Sequence, residues 1–78
     1  MYYVYLLKLN NNTVYTGFTK NLKTRLKEHS NGKSSHTSKF RPVKLIGYYT
    51  FITKLKALKF ELYLKTGSGI AFRNKHLI

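Results

Sequence analysis

Residues 2–9 constrain this chain more than any other stretch. Tyr3, Tyr5, Leu7 and Leu9 alternate with Tyr2, Val4, Leu6 and Lys8, so a strand here is largely apolar on both faces. Such a strand belongs in the middle of a sheet with cover on both sides. The rest of the chain supplies that cover. Asn10-Asn11-Asn12 is a turn cluster, and asparagine tolerates the left-handed backbone that tight turns need. Residues 13–18 read as a second strand, forming an antiparallel hairpin with the first. Thr19 is the expected cap of a helix over about 20–31, stopped near Asn31-Gly32. Residues 33–42 are polar and basic and are expected to form a mobile loop, with Pro42 forcing Arg41 into extended backbone. Residues 43–51 return as a third strand. Thr53 caps a second helix over about 54–65, Thr66-Gly67-Ser68-Gly69 stops it, and residues 70–76 add a short final helix. The order β-β-α-β-α describes an α/β sandwich or α+β layout around a three-stranded sheet. The 78 residues carry no repeat or linker, so one domain over 1–78 is expected.

Charge narrows the partner. Fifteen Lys and Arg face two acids, a formal net charge of +13. Self-repulsion at that density opposes compaction, and a polyanion relieves it. The basic residues are spread along the chain, as on a folded binding face rather than a tail. Nucleic acid is therefore the expected partner and an anionic membrane surface the weaker alternative, because the apolar helix faces are needed for the core. The first residues read as strand rather than leader, and no apolar run approaches the ~20 residues of a membrane span. With no cysteine, disulfides and thiolate zinc sites are excluded; a reducing compartment is compatible, and a cytoplasmic location is expected.

Several polar side chains fall on apolar faces. Leu22, Arg25, Leu26 and His29 share one face of the first helix. The plain alternative is that Arg25 snorkels from the edge of the stripe and His29 is a boundary residue. On the second helix Glu61 lies among Ala57, Phe60 and Leu64, with Leu58 and Leu62 adjacent. A carboxylate there needs a cation: a metal ion, or a structural pair with Arg25 or a lysine. Tyr5 and Tyr15, on the paired strands, either fill the core or turn their hydroxyls toward the helices. Gly17 suggests a close backbone approach.

The acid count decides which chemistry is open. There is no aspartate, and the two glutamates are Glu28 and Glu61. A two-metal centre, with ions ~3.5–4 Å apart, needs more carboxylates than this. A glycosidase pair is disfavoured because Glu28 is expected to face solvent. A Ser-His-Asp triad lacks its acid, a thiol nucleophile is missing, and His29, His36 and His76 have no zinc spacing. One carboxylate, one arginine, tyrosines and a histidine remain. Phosphodiester hydrolysis can run on that set, with a single Mg²⁺ or Mn²⁺ on Glu61, Arg25 clamping the phosphate, and a tyrosine or His29 taking the proton of water.

Tyr3-Val4-Tyr5 followed by Val14-Tyr15-Thr16-Gly17, then Arg25-Leu26, Glu28-His29, Arg41-Pro42-Val43 and Leu64-Lys65-Thr66-Gly67, resembles the small stand-alone branch of the GIY-YIG endonucleases over essentially the whole chain. The resemblance implies a β-β-α-β-α fold on a three-stranded antiparallel sheet and metal-dependent cleavage of DNA. It implies that Tyr5 and Tyr15 are the paired motif tyrosines, one activating water and the other orienting it, and leaves open which is the base. Gly17 would let the sheet pack closely beside the site, Arg25 would clamp phosphate, and Glu61 would hold the metal. His29 takes a position often held by tyrosine or histidine, and Asn74 matches a polar residue found after the second helix in some relatives. The first tripeptide departs from the family pattern, reading Tyr-Val-Tyr, and a lysine role falls to Lys20 at best. Selectivity would come from the chain's own loops, from a homodimer or from an accessory protein. Lys20, Lys33, His36, Lys39, Phe40 and Arg41 are the expected nucleic-acid contacts, Phe40 by stacking on a base. The competing reading is a basic nucleic-acid-binding module that keeps the scaffold without catalysis.

Overall fold

A computed structural model describes residues 1–78. Three strands, β1 (Tyr2–Lys8), β2 (Val14–Thr19) and β3 (Lys44–Phe51), and three helices, α1 (Leu22–Ser30), α2 (Lys54–Leu64) and α3 (Gly67–His76), follow one another in the order β1-β2-α1-β3-α2-α3. The sheet is antiparallel throughout, in the order β2-β1-β3. The doubly apolar strand is central, as its alternation demands. Val4 and Leu6 turn to one face and are covered by Ala57 and Leu64 of α2; Tyr5, Leu7 and Leu9 turn to the other, where Leu22 and Leu26 of α1 pack. A bulge opposite Leu6 and Leu7 interrupts the β1–β3 ladder. No helix is long and apolar enough to cross a membrane.

The ends of the elements follow local chemistry, with three departures from expectation. Asn12 takes the left-handed conformation (φ 67°) in the hairpin turn, as expected of asparagine. The cap of α1 is Asn21, not Thr19: Asn21 Oδ1 accepts from the Thr24 N–H at 3.1 Å, while the Thr19 hydroxyl supports Asn21 itself. The helix thus starts two residues later than expected. Gly32 (φ 75°) follows the end of α1. Thr53 caps α2 as expected.

The second departure is at α3, which begins at Gly67 because the Thr66 hydroxyl accepts from the Gly69 N–H at 3.1 Å. Gly69 is obligatory here, since a Cβ would overlap the Tyr63 carbonyl at the end of α2. The third is that α2 does not bury its whole apolar surface: Leu55 and Leu62 are each 63% exposed. Only Ala57 and Leu64 of this helix are fully covered, because the sheet beneath is three strands wide.

The segment 33–42 is built rather than loose. Its centre is a short 3-10 turn (Ser38–Phe40), and Ser34 and Thr37 are buried. Asn10 stitches it to the hairpin, its backbone N–H donating to the Phe40 carbonyl at 2.9 Å and its side-chain amide to the Arg41 carbonyl at 2.8 Å. Arg41 is extended, as Pro42 requires.

Candidate active site

Hairpin register decides where Tyr5 can go. Tyr5 lies opposite Gly17 of the edge strand β2. A Cβ at position 17 would overlap the Tyr5 ring and its hydroxyl, so the phenol lies across β2 only because residue 17 is glycine. From there the Tyr5 hydroxyl is 2.8 Å from His29 Nε2, and His29 Nδ1 is 2.7 Å from the Thr37 hydroxyl. Tyr5, His29 and Thr37 are at most 1% exposed, so this chain of hydrogen bonds is closed off from solvent. Tyr15 packs edge-on against His29 at 5.3 Å between ring centroids and meets the exposed His36 at 5.0 Å.

Charge surrounds this group. Arg25, one turn before His29 on α1, donates to Glu28 Oε1 at 3.0 Å. Its guanidinium is held firmly protonated, first by Glu28 and then by the phenol oxygens of Tyr5 and Tyr15. The Tyr5 phenol is pushed up to about 12, chiefly by burial; Tyr15 and Glu61 add to the shift and Arg25 opposes it. Glu61 is carried by α2, which packs on the opposite face of the sheet, and its charge is the smallest of these effects. Burial, and then the charge of Arg25, holds the His29 imidazole below its usual range, so the ring is neutral near pH 7. The Glu61 side chain is 16% exposed and accepts from Lys65 Nζ at 3.2 Å through Oε2 alone. A cleft of about 460 Å³ opens along β2, lined by Tyr15, Thr16, His36, Lys65 and Arg73 among others but not by Glu61. A phenol, an imidazole and two cations around one opening suit a phosphodiester.

Residues 1–72 match the GIY-YIG catalytic domain. The chain belongs to the GIY-YIG family. It is 41% identical over 66 residues to a UPF0213 protein of Staphylococcus epidermidis, covering 83% of this chain and 80% of that one. A UPF0213 protein of Clostridium perfringens is 42% identical over 66 residues, covering 83% and 71%. The solution NMR structure of the UPF0213 protein BH0048 from Bacillus halodurans superposes with a TM-score of 0.61 at 30% identity, covering 96% of this chain and 82% of that one. These relatives are UPF0213 proteins, and the chain's own GIY-YIG membership places it in a nuclease family.

Tyr5, Tyr15, Arg25 and His29 form one interacting group; Glu61 bonds only Lys65, does not line the cleft, and reaches the group only as the smallest charge effect on Tyr5. His36 stands at the lip of the cleft. Three expected contacts, and Asn74, lie differently. Lys20 sits 5.9 Å above the Tyr2 ring and lines a separate groove with Tyr3 and Tyr48. Phe40 is not free to stack on a base: it packs against the Tyr5-Leu7-Leu9 cluster, because burying it completes that core. Arg41 donates to the carbonyls of Ser38 and Ser30 at 3.2 and 3.3 Å and so clasps the loop to the end of α1. Asn74 accepts from Arg73 and adjoins the cleft through that residue. Lys33 and Lys39 are exposed. Glu28 is not a free solvent carboxylate but the partner of Arg25.

Sequence reasoning missed three residues here. Lys65 carried a usable signal, since it follows Glu61 by four residues, the spacing of a helical ion pair. Arg73 and Thr37 carried none; Thr37 sits in a Ser/His/Thr run indistinguishable from a solvated loop.

Proposed function

We propose that this protein is a metal-dependent DNA endonuclease that hydrolyses phosphodiester bonds at the β2 edge. One observation carries the reading: two phenols, a neutral imidazole and a guanidinium interact beside an open basic cleft that Tyr15 lines. Arg25 receives the scissile phosphate, displacing part of its contact with Glu28, and offsets the charge that builds on the phosphoryl oxygens. Tyr15 lines the cleft, so it is the phenol that contacts the attacking water and the base assigned to it. Tyr5 has the buried role: kept protonated, it bonds His29 and fixes the ring against which Tyr15 packs. His36, Lys65 and Arg73 receive neighbouring phosphates, with Lys33 and Lys39 extending the basic track.

The donor set fits one hard divalent ion. No cluster of three His or acidic side chains exists, and Mg²⁺ is commonly bound by one or two carboxylates, several waters and substrate phosphate oxygens. Glu61 would hold it, with Oε1 free of protein partners. When bound, the ion supplies charge stabilisation to the leaving and non-bridging oxygens.

The test is cleavage of duplex, branched and single-stranded DNA with Mg²⁺ or Mn²⁺. Glu61→Ala and Arg25→Ala are each expected to lose nicking by roughly 100-fold or more while keeping the fold. If the wild type cuts none of these substrates with either ion, yet binds them tightly and as well after Glu61→Ala, the chain is a binding module and the nuclease reading fails.

A further inference from the structure

Thr37 has no place in the machinery so far, yet it is fully buried and ends a hydrogen-bond chain that starts at Tyr5. Two proton arrangements fit the two short contacts. In the first, Tyr5 donates to His29 Nε2, and Nδ1–H donates to the Thr37 oxygen. In the second, Thr37 donates to Nδ1, and Nε2–H donates to the Tyr5 oxygen. Each arrangement leaves one buried hydroxyl proton without an acceptor in the chain, that of Thr37 in the first and that of Tyr5 in the second, so the number of bonds does not separate them. Arg25 separates them: its charge acts on the Tyr5 phenol, making the hydroxyl a better donor to Nε2 and its oxygen a poorer acceptor for Nε2–H. The first arrangement uses Tyr5 as a donor to His29 and leaves its oxygen open to Arg25.

We propose that Thr37 is a positioning residue of the site: by accepting the Nδ1–H of His29 it fixes the tautomer in which Nε2 accepts from Tyr5. The segment 33–42 is thereby part of the chemistry rather than only a phosphate-binding loop. Its folding delivers the Thr37 hydroxyl, and the Arg41 clasp and the Asn10 stitches hold that segment in place. A hydroxyl suits this position better than a carboxylate would. It orients the ring without adding a charge that would favour imidazolium, so His29 stays neutral among Tyr5 of β1, Tyr15 of β2, Arg25 and Glu28 of α1, and His36 of the loop. The inference rests on the nuclease reading for its catalytic consequence, but not for the tautomer itself.

Two measurements separate those parts. In ¹⁵N NMR of the full chain at neutral pH, His29 is expected to carry its proton on Nδ1. Thr37→Val, which keeps the shape and loses the acceptor, shifts the ring toward the Nε2–H form, and Thr37→Ser restores it. In cleavage of DNA, Thr37→Val lowers kcat by roughly 10–100-fold, the size typical of losing a partner that orients a histidine. It leaves KM for DNA within about twofold, shifts the acid limb of the pH–rate profile, and is rescued by Thr37→Ser. An Nε2–H tautomer in the wild type overturns the proposal even if Thr37→Val does not fold. So does a Thr37→Val protein with unchanged tautomer and pH profile. Absence of cleavage by the wild type would fell the nuclease reading and leave the tautomer assignment to be decided by NMR.

Discussion

On one face of the sheet the fully buried residues are Val4, Leu6, Ala57 and Leu64, all apolar and packed where α2 covers the sheet. On the other, Leu7 and Leu9 share the buried layer with Tyr5, His29 and Thr37, under one helix and a ten-residue segment. Both faces belong to the same central strand, so their difference is not one of depth. Burying a hydroxyl, an imidazole and a phenol contributes less to stability than burying hydrocarbon of equal volume, even when each is hydrogen-bonded. The first face stabilises the sheet. The second trades some stability for polar groups in fixed positions, and it does so next to β2, the edge strand beside which the cleft opens.

That division predicts unequal costs. Leu64→Ala should cost about 2–5 kcal/mol, a large share of the stability of a domain this size, read as a fall in the urea midpoint. Tyr5→Phe, on the other face, removes one hydroxyl and should cost only about 1 kcal/mol while breaking the bond to His29. Equal losses for the two variants would mean that the polar face is a structural core and nothing more. Gly17→Ala lies between them. Its Cβ must displace the Tyr5 ring, at about 1–3 kcal/mol, and His29 loses its Tyr5 partner with it. A Gly17→Ala protein with wild-type stability and an intact Tyr5–His29 contact would show that the Tyr5 ring does not require glycine at position 17.

The two faces were not equally legible in the sequence. The apolar one follows from period-two alternation in residues 2–9 and from Ala57 and Leu64 at helical spacing, and those elements stand where alternation and caps place them. For the polar face, the one-helix spacing of Leu22, Arg25, Leu26 and His29 was readable, because a helix puts i, i+4 and i+7 on one side. Thr37 was not, because a loop has no period and its burial depends on tertiary contacts from Asn10 and Arg41. Phe40 misled for the same reason: an aromatic in a basic loop looks available until the core it completes is known. The cap at Asn21 was missed because Thr19 and Asn21 both qualify locally, and the hairpin's end decides between them.

A smaller effect separates the faces by pH. The apolar face carries no titrating group in its buried cluster, whereas His29 is held below its usual range, first by burial and then by Arg25. The unfolded chain therefore binds a proton before the folded one does. The stability that His29 contributes is complete above the unfolded value of 6.5 and is lost as pH falls from there through the folded pKa. Tyr5 acts in the alkaline range. Its folded pKa of about 12 exceeds the unfolded 10, so its contribution is complete below pH 10 and is lost between about 10 and 12. The unfolding free energy, read from urea titrations, should fall between pH 7 and 5, by no more than about 1.4 kcal/mol per pH unit from this one group. His29→Gln should flatten that slope and leave the alkaline limb in place. An unchanged acid slope would show that His29 is not the group responsible.

The smallest effect expected concerns Glu28, at the margin of the polar face. Its pair with Arg25 is one-third or more exposed on both sides, so losing it should change stability by less than about 1 kcal/mol. The consequence for binding has the opposite sign. In Glu28→Gln the guanidinium no longer shares itself with a carboxylate, and net charge rises by one from +13. Affinity for DNA at fixed salt should therefore increase by about 1.4- to 5-fold, the equivalent of about 0.2–1 kcal/mol. The same substitution after Arg25→Ala should give a smaller gain, since only the general charge term is left. If the two gains are equal, Glu28 acts through net charge alone and does not restrain the phosphate clamp. If Glu28→Gln weakens binding instead, the ion pair orients Arg25 for the phosphate, and the margin of the polar face is as preorganised as its buried centre.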